Sequence, residues 1–230
     1  MKRCFIIAGG DFDGFYDQIR NDDLVIAADR GFDHAKKSGI NPDIIIGDFD
    51  SSDKPIDNNK VIKLNPIKDY TDTKAEMIID KDKNYDKIII YGGLGGRDSH
   101  TFANIRSSLE YKKLGIDVII KSKYKKIFII NDSFTYKFKN EDDFYVSIFA
   151  LSEVVKGISI SGLFYELNDY DLTLDSSLGV SNETCKKDFS INVNDGYLLI
   201  IFENKNVAIS KTINNIEFDF YGNINFETLK

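Results

Sequence analysis

In the first half of the chain, six short runs are built almost wholly from apolar residues: Cys4 to Ala8, Leu24 to Ala28, Asp43 to Ile46, Val61 to Leu64, Lys87 to Tyr91 and Asp117 to Lys121. A strand with one wet face alternates apolar and polar side chains, because successive side chains point to opposite sides. Runs without that alternation are buried on both faces, which is the condition of a parallel sheet covered by helices. Between the runs lie helix-like stretches, Gly31 to Ser38, Asp72 to Lys81 and Ser99 to Leu114. In the last of these Phe102, Ile105 and Leu109 recur at helical spacing. The expectation is an α/β unit with a mainly parallel sheet and flanking helices.

After Ser122 the period changes. Lys126 to Asn131, Phe134 to Phe138, Phe144 to Leu151, Val154 to Ser161, Phe164 to Leu167, Phe189 to Val193 and Tyr197 to Glu203 are short, rich in β-branched and aromatic residues, and separated by Asn, Asp and Gly. No helical periodicity is visible there, so an antiparallel all-β sandwich or barrel of about seven strands is expected. Asn194-Asp195-Gly196 reads as a hairpin turn, since Asp-Gly accepts the positive φ of tight β-turns. Ile216 to Tyr221 and Ile224 to Phe226 flank Gly222 and either close a sheet or reach a neighbouring subunit. The division expected is residues 1–122 for the α/β domain and 123–230 for the β domain.

Composition removes several classes of function. With 30 basic against 37 acidic residues the chain is net negative, whereas a nucleic-acid surface needs a clustered basic excess. Only Cys4 and Cys185 are present, outside any Cys-x-x-Cys or Cys/His cluster, which argues against a disulfide scaffold and a structural zinc site. The apolar stretch after Met1 meets Asp11 early and does not read as a signal peptide, and no run approaches the ~18 apolar residues of a membrane span. A cytoplasmic protein without membrane or nucleic-acid partners is expected.

Ligands of open α/β sheets sit at the carboxyl ends of the strands, near the point where strand order reverses. Polar motifs follow the runs at those ends: Ala8-Gly9-Gly10-Asp11, Ala28-Asp29-Arg30-Gly31, Gly47-Asp48-Phe49-Asp50-Ser51, Lys68-Asp69-Tyr70-Thr71-Asp72 and Gly92-Gly93-Leu94-Gly95-Gly96-Arg97. Asp48 and Asp50, two apart on extended backbone, project together. Two like charges held side by side are tolerated when a cation lies between them, and oxygen ligands favour Mg²⁺ or Mn²⁺ over zinc. By itself an Asp-x-Asp is commonly a solvated turn, and Thr71-Asp72 reads equally as an ordinary helix start. Asp29 has the ordinary alternative of a strand-end Asx turn.

The Gly-rich turn lets backbone approach an anion, the helix that follows aims free N–H groups at it, and Arg97 adds a fork-shaped cation suited to phosphate. His100 is divided between phosphate contact and helix packing, while His34 reads as a surface residue. The turn lacks the Gly-Lys-Ser/Thr of a Walker loop and is not Gly-x-Gly-x-x-Gly. With no Ser/His/Asp or Cys/His arrangement, a covalent intermediate is not expected. Carboxylates for a divalent cation beside a Gly/Arg cradle describe an enzyme that handles a nucleoside triphosphate.

These motifs, in this order, resemble the thiamine pyrophosphokinase family: Ala8 to Gly10, Ala28 to Gly31, Pro42 to Ser51, Asp69 to Asp72, Gly92 to Arg97, and His100-Thr101-Phe102-Ala103-Asn104-Ile105. The resemblance implies Mg²⁺-dependent transfer of a pyrophosphoryl group from ATP to the hydroxyl of thiamine, giving thiamine diphosphate and AMP. Carried over by position, it implies Asp29, Asp48, Asp50 and Asp72 as metal ligands and Asp48, Asp50, Asp72 and Arg97 as the catalytic set. Gly9, Gly10, Lys68, Thr71, Arg97 and His100 would contact the nucleotide. It further implies a homodimer with thiamine held between subunits. Gly162 to Leu167 and Gly179 to Glu183 resemble motifs of the family's β domain, with Ser181 and Asn182 facing thiamine.

Two positions depart from the family pattern. The family's Arg-x-Asp-His is here Arg97-Asp98-Ser99-His100, so the acid is displaced by one residue, a rotation of about 100° on a helix. Lys68 stands where Gln is usual. The displaced acid leaves room for a non-catalytic sensor of nucleotide or thiamine on the same scaffold. A pyrophosphokinase for another hydroxymethyl heterocycle, such as a pterin, is the remaining alternative.

Overall fold

The computed structural model describes residues 2–47, 61–63, 85–139 and 143–205, with residues 61–63 described as backbone. Six strands form the parallel part: β1 (Arg3–Ile7), β2 (Leu24–Ala28), β3 (Ile44–Gly47), β4 (Val61–Lys63), β5 (Lys87–Tyr91) and β6 (Asp117–Lys121). Two helices are described with them, α1 (Gly31–Lys37) and α2 (Asp98–Lys113). The strands lie in the order β6-β5-β1-β2-β3-β4, each neighbouring pair parallel. Strand order thus reverses between β1 and β5.

The missing alternation in these runs has its cause in two separate cores. Cys4 and Ile6 of β1 join Ile26, Ile46, Ile88, Ile90 and Ile120 on the face covered by α2, whose Leu109 and Tyr111 pack there. Phe5 and Ile7, the intervening residues, face the other way with Val25, Ala27, Ile89 and Tyr91, beneath Ala35 of α1 and the rings of Phe12 and Phe15. Each fully buried Ile or Phe contributes about 1.5–3 kcal/mol by leaving water, so both faces are under strong selection for apolar residues.

The second part contributes β7 (Lys125–Ile130), β8 (Ser133–Tyr136), β9 (Phe144–Ala150), β10 (Val154–Ser161), β11 (Leu167–Thr173), β12 (Asn182–Glu183), β13 (Phe189–Asn192) and β14 (Leu198–Asn204). Four of them continue the first sheet rather than standing apart. A tight turn joins β6 to antiparallel β7, with the Ser122 N–H donating to the Lys125 carbonyl at 2.9 Å. Strands β14, β9 and β12 follow, giving one ten-stranded mixed sheet. The other four form a separate antiparallel sheet, β11-β10-β13-β8. Side chains of both sheets, among them Val146, Ile148, Ile158, Ile160, Ile191 and Ile200, fill the layer between them.

Two local expectations are corrected. Asn194-Asp195-Gly196 is not a hairpin, because β13 lies in the small sheet and β14 in the large one. It is a corner: the Lys156 N–H donates to the Asp195 carbonyl at 2.8 Å, the Asn194 N–H donates back to Lys156 at 3.0 Å, and Gly196 takes φ +99°. Phe164 to Leu167 is a bend, and the strand begins at Leu167 and runs through Asn168, Asp169 and Asp171. That strand is an exposed sheet edge, where polar residues cost little, so its sequence carries no apolar signal. Helix Asp72 to Lys81 and the segments Ile216 to Tyr221 and Ile224 to Phe226 lie outside the described residues.

Candidate active site

The loops that leave β5, β1 and β2, three adjacent strands, enclose a crevice of about 350 Å³ at their carboxyl ends. Gly9, Gly10, Asp29, Arg97, His100 and Asn104 are among the residues that line it. Its floor is two glycine turns held together by backbone. The Gly10 N–H donates to the Gly92 carbonyl and the Asp11 N–H to the Leu94 carbonyl, both at 2.8 Å. A Cβ at Gly10 would sit 2.5 Å from the first oxygen and 2.6 Å from the second, so no other residue fits without parting the turns. The crevice lies at the switch between β1 and β5, where the fold leaves the strand ends uncovered.

Helix α2 starts directly behind the Gly-rich turn. Arg97 is its N-cap in extended conformation, and no side chain caps the first turn, so its leading N–H groups remain available to an anion. Arg97, Asp98 and His100 are all exposed at this rim. One helical level deeper, Asn104 is 4 % exposed and donates from Nδ2 to the Gly93 carbonyl at 2.8 Å. Its backbone carbonyl accepts a hydrogen bond from Ser108 Oγ, also at 2.8 Å. Sequence reading gives Asn104 no role. Its signal is an amide on the packed side of the helix, where Ser107, Ser108, Leu109 and Tyr111 are also buried, four residues after His100.

Asp29 takes φ +45°, a conformation uncommon outside glycine but tolerated by Asp and Asn. Its N–H donates to the Ile46 carbonyl at 2.8 Å, and its carboxylate fills the space over Gly47, where a side chain would collide with Oδ1. An acidic group is thereby held against the residue that precedes Asp48. Asp48, Asp50, Lys68, Thr71 and Asp72 lie outside the described residues. Among the described residues no group of three or more His, Cys, Asp or Glu side chains is placed to hold a metal ion. The donor Asp29 offers is an all-oxygen one, which fits a hard divalent cation.

His34 departs from its reading as a surface residue. Its ring stacks on Phe12, centroids 4.7 Å apart and planes within 11°, and it hydrogen-bonds to the Gly10 backbone. Its Nε2 is buried with no hydrogen-bond partner among the described residues. Burial is the main cause that holds its pKa below the usual value. His34 therefore supports the Gly9-Gly10 turn from α1. Neighbouring Tyr91 is buried as well, donating to Asp17 at 2.5 Å and accepting from the Tyr16 N–H at 3.2 Å, while Lys121 pairs with the same carboxylate at 2.8 Å.

Ser181 and Asn182 are not part of this crevice; Asn182 belongs to β12 and Ser181 directly precedes it. Ser181, at φ +57°, donates its N–H to Ser147 Oγ at 2.9 Å. Asn182 is 5 % exposed, and its Oδ1 accepts from the Tyr165 and Glu183 N–H groups, each at 2.9 Å. Its Nδ2 donates to the Tyr165 carbonyl at 2.7 Å. The amide thus fixes the bend that presents Phe164 and Tyr165, both 65 % exposed and in edge-to-face contact. Exposed Leu178 and Val180 lie close by in sequence, so this end of the sandwich offers aromatic and apolar surface to a ligand or a neighbour.

Two family models match this chain: residues 15–120 match "Thiamin pyrophosphokinase, catalytic domain" and residues 135–198 match "Thiamin pyrophosphokinase, vitamin B1 binding domain". Over 214 residues the chain is 29% identical to thiamine pyrophosphokinase of Bacillus subtilis (strain 168), covering 87% of this chain and 98% of that protein. Over 87 residues it is 38% identical to thiamin pyrophosphokinase 1 of Caenorhabditis elegans, covering 34% of this chain and 35% of the relative. The crystal structure of the Bacillus subtilis enzyme superposes with a TM-score of 0.76 at 25% identity, covering 89% of this chain and 100% of the other.

Proposed function

We propose that this chain, which belongs to the thiamine pyrophosphokinase family, transfers a pyrophosphoryl group from ATP to the hydroxyl of thiamine and releases AMP. The observation that carries the reading is the crevice at the β1/β5 switch, floored by fused glycine turns and rimmed by Arg97 and the open end of α2. A floor without side chains lets a polyphosphate chain lie against backbone N–H groups, and a guanidinium at the rim can grip its oxygens in pairs. Gly9, Gly10, Lys68, Thr71, Arg97 and His100 serve as the nucleotide contacts.

Asp29, Asp48, Asp50 and Asp72 would hold Mg²⁺, whose chemistry when bound is to neutralise charge between phosphate oxygens. The chain's own work is positioning. The glycine turns and Arg97 align the β-phosphorus with the incoming thiamine oxygen, and closing the crevice around them excludes water as a competing nucleophile. One of the carboxylates accepts the hydroxyl proton as the new P–O bond forms and the bond to AMP breaks.

Thiamine recognition is assigned to Ser181 and Asn182, with Asn182 acting through the Phe164-Tyr165 bend it fixes. Asn182 lies six strands from β1 in the sheet order, about 29 Å at ~4.8 Å per strand. That span exceeds the length of thiamine, which supports a homodimer in which one subunit's β12 end completes its partner's crevice. The test is binding of ATP to Arg97→Ala by calorimetry. Loss of at least about tenfold in affinity, with AMP binding little changed, is expected from removing a charge-assisted contact to the outer phosphates; unchanged ATP affinity would remove the crevice from the reading.

A further inference from the structure

Arg30 stands between Asp29 and the first residue of α1, and it serves the helix poorly there. As N-cap it makes no side-chain hydrogen bond to the helix, where Ser, Thr, Asp or Asn would close the first turn. A cation at this end also opposes the helix dipole. The side chain is exposed and forms no ion pair among the described residues.

The backbone beneath it is nonetheless held on three sides. The Asp29 N–H donates to the Ile46 carbonyl at 2.8 Å, and the Arg30 carbonyl accepts from the Asp33 and His34 N–H groups at 3.1 and 3.3 Å. Gly31 is pressed against β1, where a Cβ would collide with the Ile7 carbonyl. The direction of the Arg30 stem is set by these contacts, and it starts over the glycine floor: a Cβ on Gly9 would lie 3.2 Å from the Arg30 Cβ. Arg30 lines the crevice together with Arg97.

The two arginines come from opposite sides. Arg30 follows β2 and Arg97 follows β5, with β1 between them, a separation of about 10 Å for two strand spacings. Asp29 is the one acid among the described residues that line the crevice. Two guanidinium groups against one carboxylate make it locally cationic on a chain of net charge −7, and such a site concentrates a multiply charged anion.

We propose that Arg30 is a second phosphate-binding residue of the crevice, meeting the outer phosphates of the nucleotide from the β2 side as Arg97 meets them from the β5 side. The inference rests on the reading of this crevice as the nucleotide site. Each guanidinium presents paired N–H donors to phosphate oxygens, so two of them on opposite sides hold a chain of phosphates at two points and fix its direction. A monophosphate is too short to engage both. AMP, which keeps only the inner phosphate, loses the double hold once the outer two are transferred.

The experiment is calorimetry of ATP and AMP binding to the full chain and to Arg30→Ala, with Arg30→Lys as the variant that keeps the charge and loses the fork. ATP affinity should fall about tenfold or more in Arg30→Ala and by a smaller factor in Arg30→Lys, while AMP affinity changes by less than about twofold. Millimolar guanidinium chloride should return part of the ATP affinity to Arg30→Ala, and an equal amount of sodium chloride should not, a response that a purely structural role would not give. Unchanged ATP affinity in Arg30→Ala, with Arg97→Ala weakened, would overturn the role of Arg30 and leave the nucleotide site standing. No loss in either variant would overturn both. An equal loss for ATP and AMP would place Arg30 on the nucleoside or in the fold, and would overturn the proposal as well.

Discussion

Ile7 and Asn182 occupy one row of the ten-stranded sheet. Register runs from Ile7 through Tyr91, Lys121, Lys126, Phe202 and Val146 to Asn182, six strands across and at the same end of the sheet. The crevice follows Ile7 in the chain, so the two proposed halves of the site face the same way but stand too far apart to meet within a subunit.

Complementation between subunits is therefore expected. Asp29→Asn and Asn182→Ala chains, each nearly inactive alone, should regain about a quarter of the wild-type rate when refolded together in equal amounts. Half of randomly formed dimers are mixed, and each mixed dimer carries one intact site of two. Steady-state rates across mixing ratios check this, and a mixture no better than the average of its parts would mean each site is built within one chain.

Asp29→Asn isolates the charge from the fold, because Asn also accepts positive φ. Turnover should fall by about a hundredfold or more, the scale of a lost group that stabilises developing charge, with the melting temperature little changed. The same drop is expected for Asp50→Asn. Rate against Mg²⁺ concentration for each variant, beside a thermal melt, separates loss of chemistry from loss of structure.

Asn104→Ala leaves the Gly93 carbonyl without its buried donor. Such a deletion costs about 1–3 kcal/mol of stability. Because Gly93 belongs to the turn proposed to cradle phosphate, KM for ATP should rise as well, and KM for thiamine should not. Denaturant unfolding and two substrate titrations test both parts, and an equal rise in both KM values would make the role of Asn104 purely structural.

His34 gives the stability a pH dependence with a defined sign. Its folded pKa lies below the unfolded value of 6.5 because burial disfavours the imidazolium. The unfolded chain then binds the proton more readily, so the contribution of neutral His34 is complete above about 6.5 and is lost as pH falls through the folded value. His34→Phe keeps a ring on Phe12 and cannot be protonated, so it should flatten that part of the stability–pH curve. An identical slope in both proteins, measured by urea unfolding, would assign the dependence to other groups.

Much of the parallel half is legible in the residues because burial on both faces leaves no freedom for polar substitution along Cys4 to Ala8 or Lys87 to Tyr91. Gly9, Gly10 and Gly92 to Arg97 are legible for a related reason, since only glycine permits the two turns to touch. Other features depend on distant partners and leave no local trace. Asp195-Gly196 has the composition of a hairpin but serves as a corner, because Lys156 of another strand captures its backbone. Asn168 to Thr173 carries no strand signal because an edge strand can be polar. His34 reads as surface because Phe12 and Gly10, which bury it, lie more than twenty residues earlier in the chain.

The most direct measurement is phosphorus NMR of the chain with ATP, thiamine and Mg²⁺. The account predicts that AMP and thiamine diphosphate accumulate in equal amounts, that no ADP forms, and that omitting thiamine leaves ATP intact. Appearance of ADP with thiamine monophosphate, or no thiamine-dependent consumption of ATP, would contradict it.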